Sequence, residues 1–428
     1  MMNKILILGS GVTGQALTKW CTKHNVDYTL VDNTKTPPFI NWEEYTQVVK
    51  SPSIPFHDPL IKVAIQHNLP ILGDLAFFAN PNHAKVIGIT GTNGKSTVCA
   101  MISHMLATAG LPHALGGNFG TPVTDLQILP ESGVYVLELS SYQLETLPTN
   151  FTYNKPHDGN VFDIGILLNL DEDHIDHHLT METYAEAKTE LLKFSKQKII
   201  ATDDPWTEKI ASQYPSITLS TKPSEGHFVK GIELWKGNTK EAELPITMGQ
   251  HDILNGAVVW IVGKILQISP SAILKSLETY VPLPHRQQHI YTIGKVKFIN
   301  DSKATNVHAV ISSLKRFSQE PIHLIMGGVP KFENLDTLLP HMKNVVCVYG
   351  IGTASTLIEN CLNGFIQFKK CLTMQKALEA IAQNLNYDES AVVLLAPACS
   401  SFDQYKNYEL RGNDFTELTN LIFGNIHF

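Results

Sequence analysis

The sequence predicts an α/β chain of three domains built on parallel sheets, and three observations carry that reading. A short apolar run, a glycine or polar loop and a segment of helical period follow one another in three separate stretches. Pro-rich punctuation at Asn80-Pro81-Asn82 and Val281-Pro282-Leu283-Pro284 separates those stretches, which sets the expected domains at 1–84, 85–282 and 283–428. A length of 428 residues suits two to four domains at roughly 100–200 residues each.

The first stretch opens with a strand over 4–8 and turns through Gly9-Ser10-Gly11-Val12-Thr13-Gly14. It continues as a helix through Ala16, Leu17 and Trp20, then returns as a strand over 28–31 that ends at Asp32. Three glycines in that spacing after a strand, with an acid after the next strand, form a dinucleotide fingerprint. The glycines admit a pyrophosphate to the turn, and the helix N-terminus faces it. Taken alone, the pattern suggests a Rossmann-like domain, NAD and a dehydrogenase. The second stretch has a strand over 86–90, a glycine loop, and a helix whose Val98, Met101, Ile102, Met105 and Leu106 recur at three and four residues until Gly110. The third begins with a strand near 296–299 and continues through strands over 322–326, 345–349 and 392–395, with a helix over 374–383. It is Rossmann-like in the same sense as the first.

The loop of the second stretch is the strongest chemical signal. Gly91, Thr92, Asn93, Gly94, Lys95, Ser96 and Thr97 lie between a strand and a helix, as a phosphate-binding loop requires. Backbone N–H groups can close around phosphate oxygens, Lys95 can neutralise the β/γ-phosphates, and the Ser96 hydroxyl can hold Mg²⁺. The usual GxxxxGK[ST] spacing needs glycine at 89, where Ile89 stands, so this is a variant loop in a P-loop ATPase-like central sheet. Phosphoryl transfer also needs ligands for a metal ion nearby. Glu138 ends a strand over 134–139, and a strand over 164–170 delivers Asp171-Glu172-Asp173-His174-Ile175-Asp176-His177-His178. Imidazoles suit zinc, but no cysteine and no HExxH spacing accompany them, and Mg²⁺ or Mn²⁺ beside an ATP loop is the more economical reading. On a helix over 180–194, Lys188 shares one face with Tyr184, Leu191, Leu192 and Ser195, so a cation interrupts a largely apolar stripe. A buried lysine needs a partner or a depressed pKa, whereas an exposed one only snorkels.

Composition narrows the classes. Charged residues make up 17% and hydrophobic ones 43%, which excludes disorder at chain scale. The formal charge is −7, and no long basic run is interleaved with aromatics, so nucleic acid is not an expected partner. The longest apolar runs, such as 257–266 and 391–396, fall well short of the roughly 20 residues a spanning helix needs, so no membrane insertion is expected. The N-terminal apolar run is too short for a signal peptide and reads as a strand. Cys21, Cys99, Cys347, Cys361, Cys371 and Cys399 form no CxxC pair and read as reduced cytosolic thiols. A cytoplasmic monomer is the expectation.

Gly91-Thr92-Asn93-Gly94-Lys95-Ser96-Thr97 resembles the ATP loop of the Mur ligases, which extend the bacterial cell-wall peptide precursor, and of their folylpolyglutamate synthetase relatives. Residues 116–120, 137–145, 169–176, 300–306 and 397–415 are similar to segments of the same family in order along the chain, the last two to its D-glutamate-adding branch. The resemblance implies a cytoplasmic ATP-dependent ligase of peptidoglycan synthesis that joins D-glutamate to UDP-N-acetylmuramoyl-L-alanine through an acyl phosphate. The alternative it leaves is another amino-acid acceptor. It implies that Lys95, Glu138, His174, Lys188 and Lys303 serve the chemical step, and that Ser96, Glu138, His174 and a carbamylated Lys188 hold Mg²⁺ or Mn²⁺. ATP would also meet Asn255, Arg286 and Asp301. The UDP substrate would meet Val12, Thr13, Asp32, Asn33, Asn118, Ser140 and Gln143, and the amino acid Thr305, Lys331, Ser401, Phe402 and Tyr408. The chain departs from the family pattern at Thr34, where Arg is frequent, at Asp252 in place of Asn, and at Tyr408 in place of Phe.

Overall fold

The structure is a computed structural model and describes residues 4–32, 39–147, 161–245, 250–330, 335–362 and 364–424. The chain divides into two compact units, Met1–Tyr280 and Val281–Phe428. The first unit carries two sheets. One has four parallel strands, β1 (Ile5–Leu8), β2 (Tyr28–Val31), β3 (Gln47–Lys50) and β4 (Ile71–Leu72), in the order β2-β1-β3-β4.

The other sheet has nine strands: β5 (Lys85–Thr90), β6 (His113–Gly117), β7 (Val134–Glu138), β8 (Phe162–Leu167), β9 (Ser195–Ala201), β10 (Ile217–Ser220), β11 (His227–Lys230), β12 (Glu233–Lys236) and β13 (Thr239–Glu243). Their order is β13-β12-β11-β10-β9-β8-β5-β7-β6. The strands from β5 to β11 are parallel, while β12 and β13 add an antiparallel edge. The expected parallel sheet is present, with an antiparallel hairpin added at one edge. Parallel strands must be covered on both faces, which is why β7 is buried along its whole length, whereas β13 carries one buried residue and charged neighbours suited to an edge.

Register explains where the site falls. β5 lies between β7 and β8, with Ile89 opposite Glu138 and Thr90 opposite Leu167, so the loops that leave all three strands emerge at one edge. Because β6 lies beyond β7 while β8 lies on the far side of β5, the chain reverses direction around β5, the position where open α/β sheets bind ligands. The helix Lys95–Thr108 covers one face with Val98, Met101, Ile102, Met105 and Leu106, together with the helices Gln250–Ile265 and Pro270–Thr279. Each of those five side chains is almost wholly buried, a gain of about 1.5–3 kcal/mol apiece. The helix Met181–Lys193, capped by Thr180, is amphipathic and covers the opposite face with Tyr184, Leu191 and Leu192.

The second unit has six strands, β14 (Gln288–Ile293), β15 (Val296–Asn300), β16 (Ile322–Gly327), β17 (Val345–Ile351), β18 (Gln367–Leu372) and β19 (Ala391–Leu395), ordered β14-β15-β19-β16-β17-β18. β14 pairs antiparallel with β15 and the rest are parallel. Apolar clusters cover both faces. Among the described residues no helix is long and apolar enough to cross a membrane, and the six cysteines are free thiols.

Candidate active site

The phosphate loop is shaped by backbone conformations that L side chains rarely adopt: Gly91 has φ +151° and Gly94, the residue before the helix Lys95–Thr108, φ +85°. The loop is latched from β8's exit. Thr92 N donates to Asn169 O (2.9 Å), Asn93 N donates to the Asn169 side chain (2.8 Å), and that side chain donates back to Asn93 O (3.1 Å). Thr92 Oγ1 meets the Tyr184 hydroxyl at 3.0 Å. The Lys95 ammonium folds onto the loop, donating to Gly91 O (2.7 Å) and Thr92 O (2.8 Å). Asn255 is brought here too, since a Cβ built on Gly94 would lie 3.4 Å from its Oδ1.

Around this loop the structure gathers residues distant in sequence. Ser96 Oγ donates to Glu138 Oε2 at 2.5 Å, and Asn118 Nδ2 donates to Oε1 at 2.8 Å while Asn118 N bonds to Glu138 O. Asn118 thus orients the carboxylate at the end of β7. Lys188 is 1% exposed and donates to Gly91 O (2.9 Å) and Thr90 Oγ1 (3.4 Å). Burial and the neighbouring Lys95 cation hold its pKa well below the ordinary lysine value, against the pull of Asp173 and Glu138.

His174 sits at φ +58°, its N–H accepted by Asp173 Oδ1 (3.0 Å), its Nε2 3.5 Å from Asp173 Oδ2 and its Nδ1 2.7 Å from the Tyr142 hydroxyl. Among the described residues, the three-residue group whose donor atoms lie within 4.8 Å of one another is a different set, Glu145, His177 and His178. Its cation is already present. The buried Lys50 ammonium at the end of β3 donates to Glu145 Oε1 at 2.5 Å and to Ile54 O at 2.8 Å. Burial opposes ionisation of Glu145, but His177 and Lys50 hold its carboxyl below the usual range, while burial lowers the Lys50 pKa. Burial, aided by the neighbouring His177, pushes the His178 pKa down to about 4, so its ring is neutral at pH 7. The chemistry of the donor set at Ser96 and Glu138, hard oxygens beside a phosphate loop, fits Mg²⁺ or Mn²⁺.

At the first sheet, Gly11 precedes a helix that starts at Val12 with no side-chain cap on its first N–H groups. Val12 is exposed, and Thr13 and Asp32 are half-buried. Asn33 lies outside the described residues. Ser140 caps the short helix Ser141–Leu144 in a reciprocal capping box with Gln143. Gln143 is turned inward, with Nε2 donating to the buried Asp74 carboxylate at 2.9 Å. Its amide is thus committed to structure.

In the second unit, Asp301 follows β15 and accepts from Gln287 N (3.2 Å) and from the Ser313 hydroxyl. Burial pushes its pKa up to about 6, with Ser313 opposing. Lys303 lies over the Tyr408 ring, 4.0 Å from its centroid, and Thr305 N donates to Lys303 O. Ser401 is buried, Phe402 is 73% exposed and Arg286 is half-buried. Lys331 lies outside the described residues. Sequence reasoning missed Arg411, 1% exposed, which donates to Ser302 O (2.9 Å), Ser302 Oγ (3.0 Å), Cys399 O (3.1 Å) and Gly327 O (3.3 Å). It ties together three loops that carry expected amino-acid-binding residues, and burial lowers its pKa to about 10. Its arginine alone, on a helix among polar residues, gave no signal. Lys50, Tyr142 and Asn169 were missed as partners because the residues they meet lie 95, 32 and 76 positions away.

Residues 89–262 match the model of the Mur ligase middle domain. The chain is 38% identical over 383 residues to the UDP-N-acetylmuramoylalanine--D-glutamate ligase of Zymomonas mobilis, covering 86% of this chain and 81% of that protein. It is 33% identical to the enzyme of the same name from Novosphingobium aromaticivorans, over 96% of this chain and 93% of the relative. Among solved structures it resembles the UDP-N-acetylmuramate-alanine ligase of Thermotoga maritima (TM-score 0.60, 16% identity, 98% of this chain and 99% of the other). It also resembles the MurF ligase of Thermotoga maritima in complex with ADP (TM-score 0.60, 18% identity, 98% and 96%). These structural likenesses speak to the fold, whereas identity above 30% across most of both chains speaks to the family, and the chain belongs to the UDP-N-acetylmuramoylalanine--D-glutamate ligases of the Mur ligase family.

Proposed function

We propose that this chain joins D-glutamate to UDP-N-acetylmuramoyl-L-alanine at the expense of ATP, the reaction its family is named for. The observation that carries the proposal is the meeting of Ser96 and Glu138 at 2.5 Å beside a buried Lys188 bonded to the phosphate loop. Such a site suits phosphoryl transfer. A carboxylate is a poor acylating agent because hydroxide leaves badly, so the substrate carboxylate first takes the γ-phosphoryl group and releases ADP. The D-glutamate amine then attacks the acyl carbon, loses a proton, and the tetrahedral intermediate expels phosphate to leave the amide.

In this reading the protein positions and neutralises charge. Lys95 leaves its carbonyl partners for the phosphates, Thr92 to Thr97 offer backbone N–H groups, and Asn255 borders the loop. Ser96, Glu138, His174 and the carbamate of Lys188, formed from the neutral amine and CO₂, would hold Mg²⁺ or Mn²⁺, which supplies neutralisation of the transferring group. Asn118 keeps Glu138 oriented. The first sheet's Gly9–Gly14 turn, with Val12, Thr13, Asp32 and Asn33, receives the UDP end, with Ser140 nearer the sugar. Thr305, Lys331, Ser401, Phe402 and Tyr408 receive D-glutamate, and Arg286, Asp301 and Lys303 serve nucleotide and chemistry. The three domains then correspond to three substrates, and the enzyme works as a cytoplasmic monomer. A dehydrogenase reading of the Gly9–Gly14 turn gives the phosphate loop and its carboxylate no role.

Phosphate release measured across a panel of amino acids, with ATP and the UDP-sugar substrate, tests the proposal. Release that requires both UDP-N-acetylmuramoyl-L-alanine and D-glutamate supports it. Release with a diamino acid but not D-glutamate assigns a different acceptor, and release with neither substrate makes the chain an ATPase.

A further inference from the structure

We infer that Tyr142 is a positioning residue for His174, its phenol oxygen acting as the outer partner that aims the imidazole; the inference rests on the metal-site reading proposed above. The two residues are 32 positions apart and meet because β7 and β8 exit at the same edge of the sheet. β7 therefore supplies Glu138 at its end and, four residues on, the partner of a second expected ligand.

The geometry is that of a built support. The Tyr142 hydroxyl lies 2.7 Å from His174 Nδ1, and the phenol ring is itself held, 4.0 Å from the His177 ring and 5.6 Å from His178 by centroids. His174 has a left-handed backbone just before the helix Ile175–His178, and both of its ring nitrogens have partners. Nε2 lies 3.5 Å from Asp173 Oδ2. With the phenol O–H donating to Nδ1, a neutral ring carries its one proton on Nε2, the nitrogen nearer that carboxylate. A metal ligand must offer the Nε2 lone pair, and the ring then carries its proton on Nδ1 and donates it to the phenol oxygen. No proton is gained or lost by the ring; it changes nitrogen. A hydroxyl serves as donor in one state and acceptor in the other, which a phenyl ring cannot do.

The test compares wild type, Tyr142→Phe and His174→Ala as full chains, reading Mn²⁺ affinity by paramagnetic resonance and the His174 ring nitrogens by ¹⁵N spectroscopy. Tyr142→Phe is expected to weaken Mn²⁺ binding about tenfold, the low end of the cost of losing an outer partner. It should also shift the His174 nitrogen resonances away from the wild-type tautomer, with an unchanged melting temperature. Wild-type Mn²⁺ affinity and nitrogen shifts in Tyr142→Phe, beside a weakened His174→Ala, would overturn the inference and leave the metal site standing. Wild-type affinity in His174→Ala would overturn the metal site and the inference together.

Discussion

Lys95 and Lys188 both donate to Gly91 O, yet one ammonium is half-buried at the loop's mouth and the other is sealed beneath it. Their substitution should therefore read differently. Lys95→Ala is expected to abolish phosphate release while leaving the melting temperature within a few degrees of wild type, because a loop cation held by two carbonyls adds little stability. An active Lys95→Ala enzyme contradicts the phosphate-loop assignment. Lys188→Ala should lower turnover at least about a hundredfold, as loss of a charge-placing group does, whereas Lys193→Ala, on the same helix with an exposed ammonium, should stay within about twofold. Equal losses would reduce Lys188 to packing. Lys95, Glu138 and Lys188 were legible in the sequence because each breaks a local pattern: a lysine after glycines, an acid closing an apolar strand, a cation in an apolar stripe. Lys50 was not, because its partner Glu145 is 95 residues away and only the folded register brings them to 2.5 Å.

The long elements of the site were readable and the edges were not. The helix Lys95–Thr108 and the strands around the phosphate loop announce themselves by sustained apolar periodicity. Thr239–Glu243, with a single buried alanine, and the short Glu233–Lys236 pair at an edge where half the groups face water, so their sequences carry no run to recognise. The helix Tyr408–Phe423 makes a comparable point for the second unit, since its Arg411 bonds to carbonyls of three separate loops. Arg411→Ala is expected to cost about 2–4 kcal/mol of stability by leaving buried acceptors unmet. Arg411→Lys should recover only part of it, because an ammonium lacks the planar fork. Melting of the full chain checks both, and a fully stable Arg411→Ala variant contradicts the tie.

Across the whole chain, a formal charge of −7 accompanies a proposed set of three anionic substrates, so binding depends on cations placed locally, as at Lys95, and total charge is a poor guide to partner. Acid sensitivity is distributed the same way. His178 in the first unit and His323 in the second are each pushed down to about 4, chiefly by burial. A histidine whose folded pKa lies below its unfolded value of about 6.5 contributes fully above that pH and loses its contribution as pH falls toward 4, because the unfolded chain takes up the proton first. Stability should therefore drop between pH 6.5 and 4 by at most about 3.4 kcal/mol per site. His178→Gln and His323→Gln should each flatten that slope in thermal melts, and an unchanged slope contradicts the buried neutral state. Amide-bond formation to D-glutamate is read out by mass spectrometry of the UDP-sugar after incubation with ATP and D-glutamate. A product heavier by one glutamyl residue, formed one for one with ADP, is expected; ADP accumulating while the UDP-sugar stays unchanged in mass would rule amide synthesis out.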